Sequence, residues 1–205
     1  MSFVARTSLS YDTAPEYYTS SNYSFVGSDY DMWKINGNCT HYAYARSCEI
    51  KGGNVKNDLM SFFPDAGLWL SNSKWKTGTT PKLGAIAVFD NHVAVVEKIY
   101  KDGRVMLSQS SYKTFIFNTV IKKLSVGTKL DNVAGALKGY IYNPYVEETT
   151  ETTDNKGEST GITTEQAITK MAEDVIAGKY GNGSYNRMQK IYKVVQTKVN
   201  SLLGG

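Results

Sequence analysis

The chain has 205 residues, is 41% hydrophobic and carries a formal net charge of +4, which suits one ordinary domain plus a small one and excludes a disordered polyelectrolyte. No stretch approaches the roughly 20 apolar residues of a membrane-spanning helix, so membrane insertion is not expected. The opening MSFVARTSLSYDTAPEYY lacks a charged start followed by an apolar run, and the expectation is synthesis in the cytoplasm without an export signal.

Charge is unevenly spread. Residues 1–145 sum to about +5, residues 146–161 to about −4 and residues 162–205 to about +3. Two mildly basic parts flank an acidic spacer, which suits an anionic polymer as partner. No arginine-rich helix or RNA-binding signature accompanies the charge, so nucleic acid is not the expected partner. Fifteen tyrosines fit either a groove for a glycan or peptide, or half-buried packing on a twisted sheet.

In chain order, a helix is predicted from about Asn38 to Ile50, ending before Gly52-Gly53, and a second short one from Val55 to Phe63. From Gly84 the pattern changes to strands: GAIAVFD, HVAVVEKIY, RVMLSQS, TFIFNTVI and ALKGYIYNP are rich in β-branched and aromatic residues. Lys101-Asp102-Gly103 is a tight hairpin signal. Helices followed by an antiparallel sheet make an α+β domain over residues 1–145.

Residues 146–161, VEETTETTDNKGESTG, have no apolar periodicity and read as a flexible acidic linker. Beyond it, Thr163 or Thr164 offers an N-cap to a helix bearing Ala167, Ile168, Met171, Ala172, Val175 and Ile176 at helical spacing. Gly178 stops it, and a second helical stretch places Val194, Val195, Val199 and Leu202 on its apolar side. Residues 162–205 thus form a small helical domain, close to the lower size limit for an independent core.

The chemistry concentrates in GNCTHYAYAR and GAIAVFDNHVAVVE. Cys39 stands at a helix start, where unpaired amides and the helix dipole favour a thiolate. His41, two residues on, points about 200° around the helix axis from it. His92 opens a strand just after the Asp90-Asn91 turn, so if there is a Cys–His pair, His92 is the base. Cys48 is half a turn out of phase with Cys39 and reads as a small buried apolar residue. A cysteine among small and aromatic residues is also common in plain cores. A zinc site from Cys39, His41, Cys48 and His92 is a further alternative, without the close Cys-x-x-Cys spacing of structural zinc sites.

Gly37-Asn38-Cys39-Thr40-His41-Tyr42-Ala43 closely resembles the nucleophile motif of CHAP domains, the cysteine, histidine-dependent amidohydrolases/peptidases. Pro81 to Val88, followed by His92-Val93-Ala94-Val95-Val96-Glu97, resembles that family's second half. The resemblance covers roughly residues 25 to 143. It implies a papain-like fold and cleavage of amide bonds in peptidoglycan by Cys39 and His92. Trp33, Asn38 and Tyr112 are the residues expected to meet substrate.

The family's third member is an acidic residue in a Ser-Glu-x-Asn-aromatic run. Here the run is Ser108-Gln109-Ser110-Ser111-Tyr112, with Gln109 for the glutamate and Ser111 for the asparagine. A Gln carbonyl can fix the tautomer of an imidazole but cannot stabilise an imidazolium by charge. No cofactor is required. Some phage CHAP domains bind calcium through an acidic loop before the nucleophile, which here would fall to Asp29 and Asp31. The spacing to Cys39 is one residue longer than theirs, and His41 stands where they have a further aspartate.

Val175 to Gly183, then Arg187, Val195-Gln196 and Val199-Asn200, resemble the CW-seven repeat of phage lysozymes, a three-helix module that binds muropeptides. Together the two resemblances imply a phage endolysin, an N-acetylmuramoyl-L-alanine amidase or endopeptidase made in an infected bacterium and released to the wall at lysis. A non-catalytic wall-binding protein and a host autolysin are the rival readings.

Overall fold

The computed structural model describes residues 3–9, 16–18, 38–110, 117–131, 135–147, 168–169, 172–173 and 192–202. Its centre is helix α1 (Cys39–Lys51) laid on a six-stranded sheet. Asn38 caps the helix start: its side-chain oxygen accepts from the His41 amide at 3.0 Å, satisfying one of the donors a helix leaves open. The helix ends at Gly52 in the left-handed region, φ 73°, its amide donating back to the carbonyls of Cys48 and Glu49. Residues 39 to 48 are all buried, as expected of a helix enclosed on every side rather than amphipathic.

The second predicted helix is much shorter. α2 covers only Lys56–Leu59, because Met60 turns to extended backbone. A 3-10 turn at Ala66–Leu68 and a one-turn helix α3 (Trp69–Asn72) follow; neither has enough turns to show a sequence period.

The strands are β1 (Thr77–Gly78), β2 (Ile86–Phe89), β3 (Val93–Ile99), β4 (Arg104–Ser110), β5 (Phe117–Lys123) and β6 (Leu137–Ile141). They pair antiparallel in the order β1-β6-β2-β3-β4-β5. The five runs read as strands in the sequence are five of these, and only two-residue β1 has no counterpart there. The turn at 101–103 closes β3 on β4, with the Gly103 amide donating to the Tyr100 carbonyl at 2.9 Å.

Alternation sorts the central side chains onto two faces. Ile86, Val88, Val93 and Val95 pack with α1, while Ala87, Phe89, Ala94 and Val96 join Leu107, Leu137 and Tyr140 on the other face. Burial on both faces explains why β2 and β3 read as continuous apolar runs. Tyr18, Tyr42, Tyr44, Tyr100 and Tyr140 are all buried, so at least a third of the tyrosines serve packing.

Two opposite charges cross the helix–sheet interface. Arg46 donates to both oxygens of Glu97 at 2.9 Å, to Glu49 at 2.6 Å and to the Val4 carbonyl at 2.6 Å. Glu97 also accepts from the Ser108 hydroxyl at 2.6 Å, and that hydroxyl in turn accepts from Tyr42 at 2.7 Å. The N-terminal segment joins in: the Arg6 amide donates to Glu97 at 2.8 Å and its guanidinium pairs with Glu49. Every charge here has a partner, as burial demands.

Past the sheet, α4 (Tyr192–Leu202) coincides with the second helical stretch expected at the C-terminal end. Val199 is buried there, but Leu202 is exposed. Residues 168–169 and 172–173 are helical, with Ile168 and Ala172 buried. The linker beyond residue 147 and the rest of the 162–205 unit lie outside the described residues.

Candidate active site

Capping decides where Cys39 sits. Asn38 has extended backbone and binds its own helix twice, through the His41 amide and the Thr40 hydroxyl at 2.7 Å. Its side-chain oxygen is thereby committed to the cap, and the first helical residue, Cys39, is fixed at the turn. The sulfur lies against the backbone amide of Val93, with the amides of Thr40 and Cys39 itself also directed at it. Among the described residues these backbone groups are its hydrogen-bond partners, and the helix start therefore abuts the beginning of β3, next to His92.

A hairpin positions His92. The Phe89 amide donates to the His92 carbonyl at 2.8 Å, closing a turn over Asp90-Asn91. The turn is clamped from outside: Asp90 accepts from the Ala136 amide at 2.7 Å through its carboxylate and donates its own amide to the Ala136 carbonyl at 3.1 Å. Gly67 is pressed against it so closely that a Cβ there would lie 1.8 Å from the Asp90 carbonyl oxygen. Phe89 packs near the His92 ring, at 6.2 Å between centroids.

The imidazole Nε2 lies 2.7 Å from Gln109 Oε1. With a carbonyl as partner, Nε2 must carry the proton, and Nδ1 is left with the lone pair. Gln109 is itself held: its Nε2 donates to Asn118 Oδ1 at 2.8 Å. Gln109 and Asn118 are direct cross-strand partners in the β4–β5 ladder. Asn118 carried no signal in the sequence beyond being a polar residue in an apolar run, since its position opposite Gln109 depends on strand register.

Burial sets the electrostatics. Cys39 and His92 are 4% and 5% exposed. Desolvation pushes the Cys39 thiol up from its ordinary value, against the opposing pull of the three backbone amides. This corrects the expectation of a thiolate stabilised by the helix start: burial outweighs the dipole. Desolvation likewise lowers His92 to about 4, with the Gln109 hydrogen bond pulling the other way. Both shifts favour the neutral forms, the thiol of Cys39 and the imidazole of His92. His41, also buried and lowered to about 3 by desolvation, lies in the first turn of α1. Cys48 is buried too, and neither cysteine is in a disulfide.

Among the described residues, no three His, Cys, Asp or Glu side chains are grouped to hold a metal ion. Asp29, Asp31, Trp33, Ser111 and Tyr112 lie outside the described residues.

Residues 28–111 match the CHAP domain. A second match, to the CW_7 repeat, spans residues 169–203. No curated protein and no solved structure matches the chain. The CHAP domain implies a hydrolase acting on peptidoglycan, and the CW_7 repeat implies binding to the cell wall. The CHAP match holds Cys39, His92 and Gln109 but ends before β5, so Asn118 lies beyond it.

Proposed function

We propose that the chain is a phage endolysin that cuts an amide bond of bacterial peptidoglycan through a Cys39–His92 thioester mechanism, as an N-acetylmuramoyl-L-alanine amidase or endopeptidase. The supporting observation is the meeting of the capped start of α1 with the start of β3, where His92 is held by Gln109.

His92 Nδ1 takes the Cys39 proton as the sulfur attacks the amide carbonyl carbon. The carbonyl oxygen becomes an oxyanion, met by backbone amides at the helix start. When the C–N bond breaks, the imidazolium returns its proton to the leaving amine, and a thioester remains. Water, deprotonated by His92, then attacks the thioester; the acid leaves and the thiol is restored. The imidazolium has no carboxylate beside it, since Gln109 supplies only a neutral carbonyl, so the first proton transfer is steeper than in a site with an acidic third member. Asn38 positions the nucleophile, and Trp33 and Tyr112 contribute to substrate binding.

Residues 162–205 form the wall-binding unit in this reading, tethered through the acidic segment 146–161. Tethering raises the effective concentration of substrate at the catalytic unit without new contacts in the site. The enzyme works on the wall when the infected cell lyses. None of the steps draws on a metal; Asp29 and Asp31 are the proposed ligands of a calcium ion, which a comparison of activity in calcium and in chelator tests.

Clearing of purified Gram-positive walls by the wild type and by Cys39→Ala, with mass spectrometry of released fragments, tests the reading. Clearing that vanishes in the variant supports it, and the new fragment ends tell amidase from endopeptidase. Walls left intact while the protein co-sediments with them would replace catalysis by binding alone.

A further inference from the structure

We propose that Asn118 is a positioning residue for the reaction, one that holds the Gln109 side chain with its carbonyl toward His92 and so selects the histidine tautomer able to act as a base. The inference rests on the reading of His92 as the base of Cys39.

A carboxylate as third member would have two equivalent oxygens and could face an imidazole either way round. A glutamine has a right end and a wrong end. With Oε1 toward His92, the ring carries its proton on Nε2 and its lone pair on Nδ1. With the amide nitrogen there instead, Nε2 must accept, the proton moves to Nδ1, and the ring cannot take a proton from a thiol through that atom. Replacing an acid by an amide thus creates an orientation problem that a further group must solve.

Asn118 solves it. Its Oδ1 accepts from Gln109 Nε2 at 2.8 Å while Gln109 Oε1 lies 2.7 Å from the ring. Gln109 and Asn118 are 6% and 2% exposed, so water is a poor substitute for either partner. With Asn118 Oδ1 in place, turning the Gln109 amide over would set two acceptors against each other there and two donors against each other at the ring, a costly mismatch at buried sites that only a turn of both amides together would avoid. Asn118 sits on β5, directly opposite Gln109 in an unbroken seven-pair ladder, which fixes the distance between them. The chain His92–Gln109–Asn118 is a relay of orientation, in which no proton moves beyond the ring.

The test is solution NMR of the full chain labelled with 15N in histidine, with the His92 signals assigned by their loss in His92→Gln. The wild type is expected to show neutral His92 protonated on Nε2, a readout that does not depend on any wall being cut. Asn118→Asp, which can only accept, should keep that tautomer. Asn118→Leu should lose it, with kcat falling roughly a hundredfold, the lower end of what a general base contributes, and KM little changed. In a Gln109→Glu background, where position 109 has no wrong end, the same Asn118→Leu change should cost far less. A wild-type His92 protonated on Nδ1 would overturn the proposal even if Asn118→Leu failed to fold. So would an Asn118→Leu protein that keeps both tautomer and rate. A wild type with the expected tautomer but no activity on walls would instead count against the catalytic reading alone.

Discussion

Arg46 and Glu97 meet in two hydrogen bonds of 2.9 Å, one to each carboxylate oxygen, with their side chains 4% and 0% exposed. Arg46 lies two turns past Cys39 on α1 and Glu97 lies on β3, which follows directly on His92, so this pair ties the carrier of the proposed nucleophile to that of the proposed base. Arg46→Met would leave Glu97 buried without its main partner, a change that costs about 3–5 kcal/mol. Urea denaturation should show that loss. Exchanging both residues for apolar ones of similar volume should cost much less, because no charge is then stranded.

Asn38→Ala removes the side-chain cap of α1. The expected loss of stability is about 1 kcal/mol, measured by thermal melting. The loss in wall clearing should be larger than that change in stability explains, since the capped residue adjoins Cys39.

Acid should destabilise the fold through its two buried histidines. In the folded protein His92 is lowered to about 4 and His41 to about 3, both mainly by burial, from an ordinary 6.5. As pH falls below 6.5 the unfolded chain takes up protons that the folded one refuses, so stability is full above that value. It then drains away down to about 4 for His92 and about 3 for His41. Melting temperature measured from pH 7.5 down to 4 should fall steadily, and His92→Gln should flatten the curve.

Gln109→Glu places a carboxylate beside the His92 ring. An imidazolium gains from that charge, so the His92 pKa, followed by NMR titration, should rise from about 4. Alkylation of Cys39 by iodoacetamide at neutral pH should speed up as the thiolate–imidazolium form becomes more populated. An unchanged titration would mean that position 109 does not set the charge state of the ring.

Gly67→Ala tests the clamp on the turn before His92. A Cβ at 1.8 Å from the Asp90 carbonyl oxygen must push the Asp90-Asn91 turn aside. The expected outcome is a lower melting temperature together with slower wall clearing, while binding to walls is retained.

Much of this arrangement was readable in the residues. Asn38 and Gly52 bracket α1 by capping chemistry, and the β-branched runs from Gly84 onward mark five strands, because these signals are local. Of the short helices only α2 is anticipated in the sequence, and with bounds too long, while α3 and the 3-10 turn before it are not, since one turn shows no period. The direction of the Cys39 shift was misjudged because a helix start favours a thiolate only where solvent or charge supports it, and depth of burial is not a local property. Arg46 and Glu97 left a usable signal: each is a charge inside or at the end of a run of small and apolar residues, and two such charges of opposite sign should be sought as a pair. Asn118 left none, because its partner is set by pairing between strands.

The seven-pair ladder between β4 and β5 has one more consequence. A slip by a single position would set Phe117 or Thr119 against Gln109, and neither offers a side-chain carbonyl oxygen to hold it. A chain folded with that slip could keep its helix, most of its sheet and its solubility while losing its chemistry. On the proposed mechanism, specific activity is a sensor of how faithfully one hairpin was zipped, and preparations of equal purity can be ranked by it.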